Sequence, residues 1–127
     1  MKTLKPRSAL PHVLIVEDEE LLRQLLADVI ADLGTTVTAV ETADAGAEVL
    51  AHTPAIDLLI TDVRTPGQSS GWDLAAFAAA RRPELPIIIT SGFSVQTLPL
   101  PASAVFVPKP WRLDALCKLV KARLDRT

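Results

Sequence analysis

The chain has 127 residues, 49% of them hydrophobic, and a formal net charge of −2 from 13 basic and 15 acidic side chains. That length fits one domain, residues 1–127 with a core over about 12–125, because domains cluster around ~100–150 residues. The near-balanced charge excludes a global basic field for nucleic acid, the single Cys117 excludes an internal disulfide or a cysteine-based zinc site, and every apolar run falls far short of the ~20 residues of a membrane span.

The N-terminal stretch is basic, but Pro6 and Pro11 interrupt it and no apolar segment of the signal-peptide kind follows. A cytoplasmic location is expected. Val13–Val16 is a short, continuous apolar run, the pattern of a strand buried on both faces. After Glu17-Asp18-Glu19-Glu20, the residues Leu21, Leu22, Leu25, Leu26, Val29, Ile30 and Leu33 recur at helical spacing, and Gly34 stops the helix. Thr36–Val40 reads as a second strand, and Thr42 caps a helix running through Ala51. Ile56–Thr61 is a third apolar strand that ends at Asp62. A polar, turn-rich loop over Val63–Gly71 leads to a helix from about Trp72 to Arg82, closed by Pro83. Pro86 opens a fourth strand, Ile87–Ser91, Val105–Val107 makes a fifth, and Leu113–Leu124 a closing helix. Such alternation of strands and helices builds an open parallel sheet covered on both sides, an α/β fold.

In parallel α/β sheets, ligands bind beyond the carboxyl ends of the strands. The residues at those ends are Glu17 and Asp18, Asp62, Ser91 and Lys109. Three carboxylates facing one crevice repel one another and call for a cation. Oxygen ligands without His or Cys suit Mg²⁺, which keeps several waters and binds one or two carboxylates together with phosphate oxygens. Lys109 and Ser91 add donors for a phosphoryl group. Phosphoryl transfer to a carboxylate, driven by positioning and charge neutralisation, is the chemistry this set suggests.

The segments VLIVEDEE, LLITD with Pro66 four residues after its Asp62, IIITSG and VFVPKPW together resemble the receiver domain of two-component response regulators, in order from about Val13 to Leu124. The resemblance implies a flavodoxin-like, doubly wound, five-stranded parallel sheet of order 2-1-3-4-5. It makes Asp62 the phospho-acceptor and places Mg²⁺ on Glu17, Asp18, Asp62 and the backbone carbonyl of Arg64. Lys109 then pairs with the acceptor or its phosphate, Pro110 is often preceded by a cis bond, and Ser91 and Phe106 form the switch pair. The implied partners are a sensor histidine kinase or a phosphotransfer protein upstream and a further protein downstream. Direct nucleic-acid binding and membrane insertion are not implied, and a monomer or weak homodimer is expected. Such a domain is not an enzyme beyond its own phosphorylation from a donor and its autodephosphorylation.

The chain ends three residues after Leu124, so a stand-alone receiver without an output domain is expected, in the manner of chemotaxis regulators. The receiver part of a hybrid histidine kinase is an alternative, as is an interaction module that works without phosphorylation. A phosphohydrolase of the haloacid-dehalogenase type is disfavoured, because Arg64 stands where those enzymes place a second aspartate.

Several positions depart from the family pattern. The loop from Pro66 to Gly71 carries one extra residue, Thr65 stands in place of a usual Met, and Gly92 in place of a common Ala. Only twelve residues, Gly92–Ser103, join the fourth strand to Ala104, and Pro99 and Pro101 lie among them. A parallel crossover needs about a dozen residues at minimum, so a full fourth helix does not fit and at most a turn or two around Ser94–Leu98 is expected. The face usually made there must be rebuilt from Leu98, Leu100, Phe106 and the closing helix.

The remaining conspicuous residues have plainer readings. Asp57, at the opposite end of the third strand, is an ordinary turn or cap residue. Trp72 and Trp111 are packing residues, with Trp111 near the pocket mouth. His12 and His52 mark a strand start and a helix end. Cys117, at helical spacing with Leu113, Leu116 and Val120, is a buried structural thiol. Lys118, Lys121, Arg123 and Arg126 make the last helix basic, read as a solvated face with an acidic partner as the alternative.

Overall fold

The computed structural model describes residues 10–92 and 100–125. Five strands, β1 (His12–Val16), β2 (Thr36–Val40), β3 (Ile56–Asp62), β4 (Ile87–Ser91) and β5 (Ala104–Pro108), form one parallel sheet in the order β2-β1-β3-β4-β5. The helices are α1 (Glu20–Ala31), α2 (Ala43–His52), α3 (Gly71–Arg81) and α4 (Leu113–Leu124). This is the flavodoxin-like receiver fold, with four helices among the described residues and none of them in the link from β4 to β5. The turn expected around Ser94–Leu98 lies outside the described residues. None of the described helices is long and apolar enough to cross a membrane.

The middle residues of the central strands, Val13–Val16, Leu58–Ile60 and Ile87–Ile89, are apolar because both faces are covered. Leu14, Val16, Leu59, Ile87 and Ile89 pack with Leu74, Ala75 and Ala78 of α3 and with Ala43 and Leu50 of α2. Their neighbours in sequence, Val13, Ile15, Leu58, Ile60 and Ile88, pack with Leu26 and Ile30 of α1 and Leu116 and Val120 of α4. Successive side chains of a strand point to opposite faces, so the two helical layers bury both sets, and the polar residues of β3 and β4, Asp57, Thr61, Asp62, Thr90 and Ser91, lie toward the strand ends.

Local signals set the boundaries. Thr42 accepts a hydrogen bond from the Ala45 N–H at 3.0 Å, capping α2 as its sequence position suggests. Ser70 and Asp73 close a reciprocal capping box at the start of α3. Gly34 takes φ +91° in the turn after α1, a conformation that favours glycine. Asp57 is neither turn nor cap: its carboxylate accepts from the His12 N–H at 2.8 Å, beside a register shift between β1 and β3. Cys117 is half-buried rather than buried, because it flanks the Leu116–Val120 stripe that carries α4's contact with the sheet.

Candidate functional site

The strand ends bring the expected carboxylates together. Glu17 follows β1, and its N–H donates to the Val40 carbonyl at 3.0 Å, which carries the pairing with β2 one residue past the strand. Its carboxylate accepts from the Glu19 N–H at 3.0 Å, turning the chain into α1. Asp62 ends β3, and carboxylate oxygens of Glu17, Asp18 and Asp62 lie within 4.8 Å of one another. Glu17 is buried, Asp62 half-buried and Asp18 exposed, so the cluster opens to solvent on the Asp18 side.

Lys109 follows β5 and reaches back across the sheet edge. Its ammonium donates to Glu17 Oε1 at 3.2 Å and to Asp62 Oδ2 at 3.3 Å. Its own N–H donates to the Ser91 carbonyl at 2.9 Å, which fixes where the side chain starts. The Lys109–Pro110 peptide is cis. Burial works against the Lys109 ammonium, but the Glu17 and Asp62 carboxylates outweigh it and hold its pKa above the usual lysine value. For Glu17, burial dominates over the Glu19 N–H and Lys109, and the Asp62 charge acts with it, so this carboxyl lies above its ordinary range. Lys109 pairs with two of the three clustered carboxylates, and the all-oxygen donor set of the cluster fits a hard divalent cation such as Mg²⁺.

Ser91 closes β4 with only 2% of its surface exposed. Phe106, in the middle of β5, is half-buried and stacks on Trp72 at a centroid distance of 5.8 Å and an interplanar angle of 18°. Phe106 and Leu100 join the core beneath α2 and α3, so Trp72 takes part in the face that the short β4–β5 link leaves to other residues. Leu98, also expected there, lies outside the described residues. Trp111 packs on the opposite face, and its indole N–H donates to Thr90 Oγ1 at 3.4 Å, one residue before Ser91.

Arg64, two residues past Asp62, is exposed at the start of the β3–α3 loop. The β3–α3 loop is held at several points along its length. Gly67 adopts φ +106°, the Gln68 N–H donates to the Asp44 carboxylate at 3.0 Å, and Thr65 Oγ1 accepts from the Ala43 N–H at 3.1 Å. At the far end, the Gly71 N–H donates to the Val63 carbonyl at 2.8 Å.

Arg23 also belongs to this neighbourhood, though no sequence motif marked it. Its guanidinium donates to the backbone carbonyls of Glu17, at 3.0 Å, and Asp18, at 3.4 Å. A cation in the first turn of a helix opposes the helix dipole, and that misfit was the one available signal that Arg23 serves a neighbouring loop.

A receiver fold with an acidic pocket and a lysine at the carboxyl edge of its sheet defines a class of signalling domain. The family model for the response regulator receiver domain matches residues 13–121, and the chain belongs to that family. It is 34% identical over 112 residues to the response regulator protein FleR of Pseudomonas aeruginosa, covering 85% of this chain and 23% of FleR. It is 30% identical over 93 residues to the two-component response regulator ORR5 of Oryza sativa subsp. japonica, covering 72% of this chain and 69% of that protein. The chain thus spans about a quarter of FleR, so FleR's activity as a whole is not carried over. Among solved structures, a receiver protein from Sinorhizobium medicae superposes with a TM-score of 0.82 at 28% identity, covering 93% of this chain and 96% of the other. The receiver domain of the hybrid histidine kinase CckA gives 0.72 at 31% identity, covering 90% and 99%.

Proposed function

We propose that this domain is a phosphorylation-dependent switch that accepts a phosphoryl group on Asp62 from a histidine kinase or a phosphotransfer protein. The observation that carries the reading is the clustering of Glu17, Asp18 and Asp62 oxygens within 4.8 Å, with the Lys109 ammonium on two of those carboxylates. Glu17, Asp18, Asp62 and the Arg64 carbonyl would hold Mg²⁺, which when bound neutralises charge on the transferring phosphoryl oxygens. An Asp62 carboxylate oxygen attacks phosphorus, the P–N bond to the donor imidazole breaks, and the leaving nitrogen keeps the bonding pair and takes up a proton. Lys109 moves its donation from the carboxylate to the phosphoryl oxygens, and the Ser91 hydroxyl supplies a second donor. Ser91 and Phe106 then pass the change to the surface beside β5. Beyond this self-phosphorylation and the later hydrolysis of the acyl phosphate, the domain carries out no turnover of its own.

The test is intact mass after incubation with Mg²⁺ and a small-molecule phosphodonor, beside Asp62→Asn. The parent is expected to gain the mass of one phosphoryl group and the variant none. Equal labelling of both proteins, or no labelling of the parent even by a phosphorylated kinase that labels other receivers, would overturn the reading.

A further inference from the structure

Arg64 sits between two anchored residues. On its N-terminal side, the Val63 N–H donates to the Thr90 carbonyl at 3.0 Å and the Val63 carbonyl accepts from the Gly71 N–H at 2.8 Å, so both backbone groups of Val63 are held. On its C-terminal side, Thr65 Oγ1 accepts from the Ala43 N–H and donates to the Ser69 carbonyl, each at 3.1 Å. The Thr65 hydroxyl thus holds the residue whose amide nitrogen is bonded to the Arg64 carbonyl carbon, and with Val63 it brackets the peptide that carries that carbonyl.

Its anchor point is firm. Ala43 is the first residue of α2, and its N–H is among the donors that a helix start leaves without an internal partner. Thr42 Oγ1 already serves Ala45, so the first-turn N–H of Ala43 draws its acceptor from the loop. A second tie, from the Gln68 N–H to Asp44, grips the same loop at 3.0 Å. A thioether or an alkyl group at position 65 offers no hydroxyl for this pair of bonds.

We propose that Thr65 is a positioning residue for the cation site: its hydroxyl ties the β3–α3 loop to the first turn of α2 and so sets the direction of the Arg64 carbonyl. The proposal rests on the reading that this carbonyl and the acidic cluster hold Mg²⁺. The test is calorimetric titration of Mg²⁺ into the parent, Thr65→Val and Thr65→Ser, with circular dichroism to establish that each is folded. Thr65→Val is expected to weaken Mg²⁺ binding by about 10-fold or more, the scale on which groups supporting a metal ligand act, while Thr65→Ser keeps the hydroxyl and restores affinity. Should Thr65→Val not fold, Thr65→Ala, which cannot overpack the site, is read in the same way. A parent that binds Mg²⁺ and a hydroxyl-free variant that binds it equally well would overturn this inference alone. A parent with no Mg²⁺ affinity would overturn the cation-site reading and the inference with it.

Discussion

Replacing Gly71 by alanine tests whether the backbone at the end of β3 and the start of α3 is as tightly interlocked as the structure indicates. An ideal Cβ on Gly71 would lie 2.1 Å from the Asp62 carbonyl oxygen and 2.8 Å from both the Asp62 carbonyl carbon and Val63 Cα, whereas ordinary contact begins at 3.4 Å. The three nearest atoms are all backbone, so relief requires about an ångström of movement of α3 or of the Asp62 peptide rather than the swing of a side chain. Overpacking of this kind costs about 3 kcal/mol. The better helix propensity of alanine returns at most ~1 kcal/mol, and less at a helix start. A net loss of about 2 kcal/mol lowers the melting temperature by about 8 °C at roughly 4 °C per kcal/mol. Because Asp62 moves with its peptide, phosphorylation should slow as well, and a misplacement of about 1 Å can cost ~100-fold in rate. Gly92→Ala is the control, since among the described residues its Cβ would meet only Lys109 Cβ, at an ordinary 3.7 Å. Thermal melts followed by circular dichroism and time-resolved intact mass measure the two effects. If Gly71→Ala melted with the parent and labelled at the parent's rate, the interlock would be refuted.

Three further outcomes follow from the same geometry. Ser70→Ala removes the hydroxyl that accepts from the Asp73 N–H, and chemical denaturation should show a loss of about 1 kcal/mol; an unchanged midpoint would mean that the capping box adds nothing to α3. Trp72→Leu abolishes the stack on Phe106 and should cost about 1 kcal/mol beyond its lost apolar area, which a double-mutant cycle with Phe106→Leu isolates; a coupling of zero counts against the pair. Burial, with the Asp114 charge beside it, raises the Cys117 thiol above its ordinary value of 9.0, so less of it is thiolate at any pH below that value. Alkylation of the folded protein should therefore lag that of the unfolded chain at neutral pH and accelerate as the pH rises. Equal rates at neutral pH would contradict the assignment.

Much of the fold was legible because local chemistry and the global arrangement agree. The apolar runs at Val13–Val16 and Ile87–Ile89 are buried on both faces in the sheet, as their lack of alternation implies. Thr42 caps the helix it precedes. Edges shifted by a residue or so: β1 begins at His12, β3 includes Asp62, and α3 runs Gly71–Arg81 rather than from Trp72 to Arg82. Such shifts are the ordinary uncertainty of element ends, where one hydrogen bond decides. Asp57 was misread because a cross-strand bond to the His12 N–H leaves no trace in local spacing. The depth of Cys117 was misread because helical periodicity marks a face but not how close each position on it comes to the sheet.

The sequence alone determined the alternation of strands and helices, the covering of the sheet on both faces and the order of the polar residues at the strand ends, because these depend on periodicity and on residues next to one another. Only the tertiary structure decided which distant groups meet. Lys109 reaches Glu17 and Asp62 across separations of 92 and 47 residues, Thr65 ties its loop to Ala43, Arg23 braces the β1–α1 turn, and Trp72 lies on Phe106. Those contacts depend on strand order, register and the close approach that Gly71 permits, and each is a property of the packed backbone rather than of any single segment.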